Sequence, residues 1–324
     1  MTTRASTPAT LTVGSLSSIR DDIAGTHSCL TRICLADRII AHYIWHYNHA
    51  GKLLTQPYAK DLHLIDIGLN LTHDSFDHDR HELLDHAARV GVSHMLITGS
   101  DLLHSREAWQ LARKDPHRLR ATAGVHPHHA KDMTESDLPA LRALLAEPEV
   151  IAVGECGLDY YRNFSTADQQ EQAFRWQLQL AVETGKPVFL HERDVHDAFV
   201  AILNDYLPQI TGGVAHCFTG TVEQVRKYVE MGLYIGITGW ICDERRGQSL
   251  REAVLDIPLD RLLIETDAPY LIPRNLKPRP RSHRNEPMYL PVVLNELAAC
   301  RNESVEVLAT ATATNTRKLF NWPD

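Results

Sequence analysis

EVIAVGECGLDYY, residues 149–161, opens on a run of Val, Ile and Ala that ends on Glu155. An apolar run this short reads as a strand buried on both faces. A carboxylate at its exit is out of place in a core. The pattern recurs three times: PVFLH (187–191) ends on His191, GGVAH (212–216) on His216 and LLIETD (262–267) on Asp267. Four strand ends that each carry a metal-type ligand point to one site built from several parallel strands. A (β/α)8 barrel presents its chemistry in that way.

Outward from these runs, strand-like and helix-like segments alternate. The strand-like ones are LIDIGLN (64–70), SHMLITGS (93–100), LRATAGVHP (119–127), the four above, and LYIGITG (233–239). Helical patterns follow them near 79–91, 103–114, 135–147, 166–185, 194–206, 221–231 and 247–255, and helices near 287–301 and 304–319 finish the chain. Asp101, Ser136 and Thr221 are placed as N-caps. Eight alternations predict a parallel sheet of the number that closes, a TIM (β/α)8 barrel over residues 64–324. An open doubly wound sheet more often carries a Gly-rich phosphate loop after its first strand, and none occurs here.

The chain has 324 residues, 44% hydrophobic and 23% charged, with a net charge of −8. This is soluble globular composition without the global basic field of a protein that coats duplexes. Six cysteines without a CxxC pair exclude a zinc ribbon and fit a reducing cytoplasm. No stretch of 18 apolar residues predicts a membrane span, and no long heptad argues for assembly, so a monomer is expected. Residues 1–63 read as an N-terminal extension, poorly ordered or a start-site artefact, with IIAHYIWHY (39–47) as a short helix or strand.

Two imidazoles on adjacent strands, His191 and His216, with the carboxylates Glu155 and Asp267, form a nitrogen–oxygen donor set for a divalent cation. Glu265, two residues before Asp267, is expected to share its face and support the ligands. His126, in GVHPHH, lines the site. Arg193 and the loop RNLKPRPRSHRN (274–285) place positive charge beside it, which suits phosphate. Thr219, in CFTG, offers a hydroxyl to a phosphate. Tyr160, Tyr161 and Tyr270 are candidate platforms for bases.

GVHPH, VGECGLDYYRNFST, FLHERD, AHCFTGT, GITGWICDERRG and LLIETDAPYLIPR, in this order, resemble the TatD family of metal-dependent deoxyribonucleases. GITGWICDERRG and RNEP (284–287) are closest to the branch that gives the family its name. The resemblance runs from about residue 64 to the C-terminus. It implies a TIM barrel of the metal-dependent hydrolase type and Mg²⁺-dependent 3′→5′ exonuclease action on single-stranded DNA and RNA in DNA repair. By motif, Glu155, His191 and His216 become metal ligands and Asp267 a catalytic or metal-linked carboxylate. Glu155 is also counted as catalytic. His126, Arg193, Thr219, Arg284 and Asn285 are assigned to substrate binding. Imidazole ligands favour Mn²⁺ or Zn²⁺ by intrinsic affinity, so these stand behind Mg²⁺.

One departure is visible. The wider family opens with His-x-His on its first strand, where this chain has Gly68 and Asn70. Gly68 offers no ligand and Asn70 only a neutral carbonyl, which predicts a centre with fewer protein ligands. Two other readings compete. One is C–N or ester hydrolysis of the amidohydrolase type, weakened because no Lys ends a strand. The other is a non-catalytic single-strand binder.

Overall fold

The computed structural model describes residues 43–47, 53–57 and 62–322. The chain divides into two units, residues 1–42 and 43–324, and all described residues lie in the second. The expectation for residues 1–63 therefore falls largely outside the described residues. Within that stretch Tyr43–Tyr47 (β1) and Leu53–Pro57 (β2) pair antiparallel, Tyr43 opposite Pro57 and Tyr47 opposite Leu53. The strand alternative for the IIAHYIWHY segment is the one adopted at 43–47.

Eight further strands form one parallel sheet in sequence order: Leu64–Leu69 (β3), Val92–Ile97 (β4), Leu119–Ala123 (β5), Val150–Asp159 (β6), Val188–Arg193 (β7), Gly213–Ala215 (β8), Tyr234–Ile237 (β9) and Leu262–Ile264 (β10). The barrel closes where β10 ends. Leu69 bridges Ala268 in parallel, Asp267 N donates to Gly68 O at 2.8 Å, and Asn70 N donates to Ala268 O at 2.9 Å. The first strand is thus joined to the last at the residues that flank Asp267.

Helices cover the outside: Arg80–Arg89 (α1), Leu102–Lys114 (α2), Leu138–Leu145 (α3), Ala167–Thr184 (α4), His196–Tyr206 (α5), Val222–Glu230 (α6), Gln248–Ala253 (α7), Leu290–Arg301 (α8) and Val305–Phe320 (α9). Caps account for several starts. Asp101 accepts from His104 N, and Thr221 and Gln224 exchange bonds as a capping box. Ser136 does not cap. Thr134 and Asp137 form the box instead, and a 3₁₀ turn, Glu135–Asp137, precedes α3. Helix α7 is short because the chain tightens into a 3₁₀ turn at Val254–Asp256.

Two cores result from the alternation of side chains along each strand. The larger lies between barrel and helices. The smaller fills the barrel: Ile65, Ile67, Leu96, Ala152, Phe189, Val214, Tyr234 and Leu263 pack with Ala313, Leu319 and Phe320 of α9 and with Trp322. The interior is a packed core rather than a pore. Its upper member Phe189 lies 4.5 Å, centroid to centroid, from the His216 ring, so apolar packing forms the floor of the polar site.

Candidate active site

The register between β6 and β7 shifts between Val153 and Cys156. This irregularity sits at Gly154, where φ is +140° and an added Cβ would lie 2.3 Å from Phe189 O. Only glycine fits there. The backbone turn delivers Glu155 to the barrel axis, with its N–H donating to Gly99 O at 2.7 Å.

Three imidazoles meet one oxygen of that carboxylate. Glu155 Oε1 is 2.8 Å from His216 Nε2, 3.0 Å from His191 Nδ1 and 3.3 Å from His126 Nε2. Donors around a tetrahedral cation at about 2.1 Å stand roughly 3.4 Å from one another, and octahedral neighbours about 3.0 Å. The spacing from Glu155 to the three rings therefore matches that of ligands sharing a cation. His191 Nε2, on the other side of the ring, lies 3.6 Å from Asp159 Oδ2, which leaves Nδ1 as the atom turned to Glu155. The donor set fits a divalent cation.

The carboxylate and the rings shift one another. Burial works against a charge on Glu155, yet His216 and His126 outweigh it and hold the carboxyl well below its ordinary value. His216 moves the other way: burial opposes its charge, but Glu155 and Glu265 raise it well above the ordinary imidazole range. Burial dominates at His126, lowering it to about 4, so this ring is neutral near pH 7 and able to donate a lone pair.

Asp267 takes a left-handed backbone conformation, φ 55°, just beyond β10. Burial, with Glu155 and Glu265 nearby, pushes its carboxyl up to about 7. That value suits a group which accepts a proton at neutral pH. Asn70 Nδ2 donates to Asp267 Oδ1 at 3.0 Å. The carboxamide N–H thus engages Asp267, and Asn70 lines the cavity.

Gly68 has an equally concrete setting. A Cβ there would lie 2.3 Å from Glu265 Oε2, and one at Gly236 would lie 2.5 Å from Glu265 Oε1. Glu265 is fully buried between the two glycines. Its carboxylate meets His216 Nδ1 at 3.3 Å and accepts from Cys217 N. It braces the ring whose other nitrogen faces Glu155, in the manner of carboxylates behind metal-binding histidines.

Above these residues opens a cavity of about 1330 Å³, larger than the roughly 300–1,000 Å³ of small-molecule pockets. Glu155, His126, His191, His216 and Asp267 line it, as do Arg193 and Thr219. Arg284 and Asn285 do not. The Arg284 guanidinium donates to Asp79 at 2.6 and 2.9 Å, to Glu286 at 2.8 Å and to Ser75 O at 2.6 Å. Asn285 is fully buried and donates to Thr266 O at 2.8 Å. Both tie the loop to the barrel rather than face the opening. The basic rim is instead Arg274 and Arg279 from that loop together with Arg162, Arg193 and Arg246.

Several lining residues were not singled out by sequence. Asp159 pairs with His128 Nε2 at 2.7 Å. Its period-two spacing from Glu155 along β6 was the available signal. Arg246 stacks over Trp240 at 4.4 Å, a pairing that the run WICDERRG contains but cannot reveal. Tyr160 is occupied, its hydroxyl donating to Glu171 at 3.0 Å.

Among the described residues no helix is long and apolar enough to cross a membrane. The family described as TatD related DNase matches residues 65–321. A protein of Erwinia tasmaniensis named 3′-5′ ssDNA/RNA exonuclease TatD is 51% identical over 258 residues, 80% of this chain and all of that protein. One of the same name from Pantoea vagans is 52% identical over 257 residues, 79% of this chain and 99% of the relative. The solved structure of YJJV, a TatD homologue from Escherichia coli K12, is 30% identical, superposes with a TM-score of 0.74, and is matched over 80% of this chain and 98% of its own. With a barrel, a histidine–carboxylate centre and relatives of this identity along nearly their whole length, this chain belongs to the TatD related DNase family.

Proposed function

We propose that this protein is a metal-dependent exonuclease that hydrolyses phosphodiester bonds of single-stranded DNA and RNA from the 3′ end. The convergence of His126, His191 and His216 on Glu155 Oε1 beneath an arginine-rimmed cavity carries the reading. Its agreement with the activity for which the relatives are named supplies the polarity and substrate.

Glu155, His191 and His216 would hold the cation, with His126 beside them. A divalent cation there would supply Lewis acidity at a phosphate oxygen and lower the pKa of water. Mg²⁺ is the working cation in this reading, with Mn²⁺ or Zn²⁺ as the ions that imidazoles also accept. Asp267, poised near neutrality and held through Oδ1 by Asn70, takes the proton of the attacking water. Water oxygen bonds to phosphorus, the bond from phosphorus to the preceding nucleotide's sugar oxygen breaks, and that oxygen takes a proton from solvent water as it leaves. Arg193, Arg274 and Arg279 offset the phosphodiester charge at the rim, and Thr219 offers its hydroxyl there. We further assign the catalytic unit to residues 64–324 and the protein to the cytoplasm as a monomer trimming 3′ ends in DNA repair.

Single strands labelled at the 3′ or 5′ end, incubated with and without EDTA, test the function. The expected result is immediate release of 3′ label as mononucleotide, stepwise shortening of 5′-labelled strand, and neither in EDTA. Asp267→Asn abolishes both. Cleavage that persists in EDTA, or that starts at the 5′ end, overturns the reading. Strand binding without turnover marks a non-catalytic binder.

A further inference from the structure

Among the described residues six large apolar side chains stand strongly exposed: Leu103, Tyr161, Phe164, Leu255, Tyr270 and Val307. The three aromatic ones gather at one place. Phe164 and Tyr270 line the cavity, and the Tyr161 ring lies 4.2 Å from the guanidinium of Arg193, which also lines it. Folding does not account for leaving rings in water, because each forgoes substantial apolar burial.

Tyr161 and Phe164 belong to the loop between β6 and α4, and that loop is pinned at both ends. Arg162 N donates to Asp159 Oδ1 at 2.8 Å. Ser165 Oγ donates to His128 O at 3.2 Å and accepts from Lys131 N at 3.0 Å, and Gln170 Nε2 donates to Ser165 O at 2.9 Å. The rings are thus exposed on an anchored backbone. Phe164 packs edge-on against His128 at 4.8 Å, and His128 pairs with Asp159 inside the cavity. Aromatic surface therefore runs outward from the metal-type centre to the rim, with Arg162 and Arg193 alongside.

We propose that Tyr161 and Phe164 form a stacking platform for unpaired bases upstream of the scissile phosphate. This deepens the nuclease reading and rests on it. Arg193 at 4.2 Å and Arg162 at 5.7 Å both lie over the Tyr161 ring; a base takes the place of the looser Arg162 contact, while the arginines meet the flanking phosphates. Every base has a π-face, so such a platform tolerates any sequence. It also selects for single strands, since bases inside a duplex have no face to offer.

The test is an abasic scan. Fluorescence anisotropy measures binding of single strands protected by 3′ phosphorothioate linkages, each lacking one base at successive positions from the 3′ end. Wild-type protein is expected to lose roughly 5- to 100-fold in affinity at one or two adjacent positions and little elsewhere. Tyr161→Ala loses a similar factor on the intact strand and is then indifferent to the missing base, whereas Tyr161→Trp keeps the discrimination. Tyr161 is 58% exposed, so truncation there leaves the fold alone, and Phe164→Leu gives a second probe that retains packing on His128. A flat scan in wild type overturns the platform, as does an abasic penalty that persists undiminished in Tyr161→Ala. Failure of wild type to bind any strand overturns the nuclease reading as well, and the absence of metal-dependent cleavage identifies that case.

Discussion

Gly68→Ala is a one-carbon change with a calculable consequence. The new Cβ would stand 2.3 Å from Glu265 Oε2, and real Cβ contacts stay beyond 3.0 Å, so the carboxylate must retreat by about 0.7 Å. It has nowhere to go freely, because its other oxygen accepts from Cys217 N. The His216 Nδ1 contact is already 3.3 Å, and a shift of that size takes it out of hydrogen-bond reach. Overpacking of this kind costs about 1–3 kcal/mol, a fall in Tm of roughly 3–10 °C for a domain of this size. Loss of the brace behind His216 adds a weakening of about 10- to 100-fold in cation affinity. Urea denaturation and Mn²⁺ titration measure the two effects. A double variant identifies the cause: in a Glu265→Ala background the added methyl meets no carboxylate, so Gly68→Ala is expected to cost little there, a coupling of about 1–2 kcal/mol. Strictly additive effects, or a Gly68→Ala protein with wild-type stability and Mn²⁺ affinity, would refute the reasoning.

Arg284→Ala should destabilise the fold by roughly 2–4 kcal/mol, because it removes the ion pairs to Asp79 and Glu286 that tie the loop to the barrel. Its strand affinity should stay unchanged, and a selective loss of binding without loss of stability would return Arg284 to the substrate site. Arg279→Ala should do the reverse, leaving Tm in place while reducing the slope of log K against log salt by about 0.7, the value for one single-strand phosphate contact. An unaltered slope would remove Arg279 from the strand path. Burial pushes Asp66 up to about 7 against donors from Thr266 and Gly68. The folded state therefore holds a proton that the unfolded chain releases from 3.8 upward, so this group's contribution is full below 3.8, falls as pH rises through 7, and is flat above. Asp66→Asn should flatten that part of the stability profile, and an identical profile in the two proteins would show that Asp66 titrates normally.

The sequence by itself determined the barrel and which residues end its strands, while His126, read as a substrate-binding residue, joins Glu155 and His191 only in the folded chain. Alternation of apolar runs with helical periods is local, and each run carries its own terminal residue, so Glu155, His191, His216 and Asp267 could be read as strand ends without knowing what they touch. Asp101 and Thr221 were equally legible, since a cap acts over three residues. Only the tertiary structure decided which charges face the cavity. Arg284 looked like its neighbours Arg274 and Arg279, but Asp79, 205 positions away in the chain, claims it. Asn70 appeared as a poor ligand until barrel closure set its amide against Asp267, 197 residues distant. Gly68 appeared as a lost histidine until Glu265 was seen to fill the space beside it. These roles depend on contacts across the closed barrel, and such pairings leave no trace in local periodicity because closure, not the neighbouring sequence, brings the partners together.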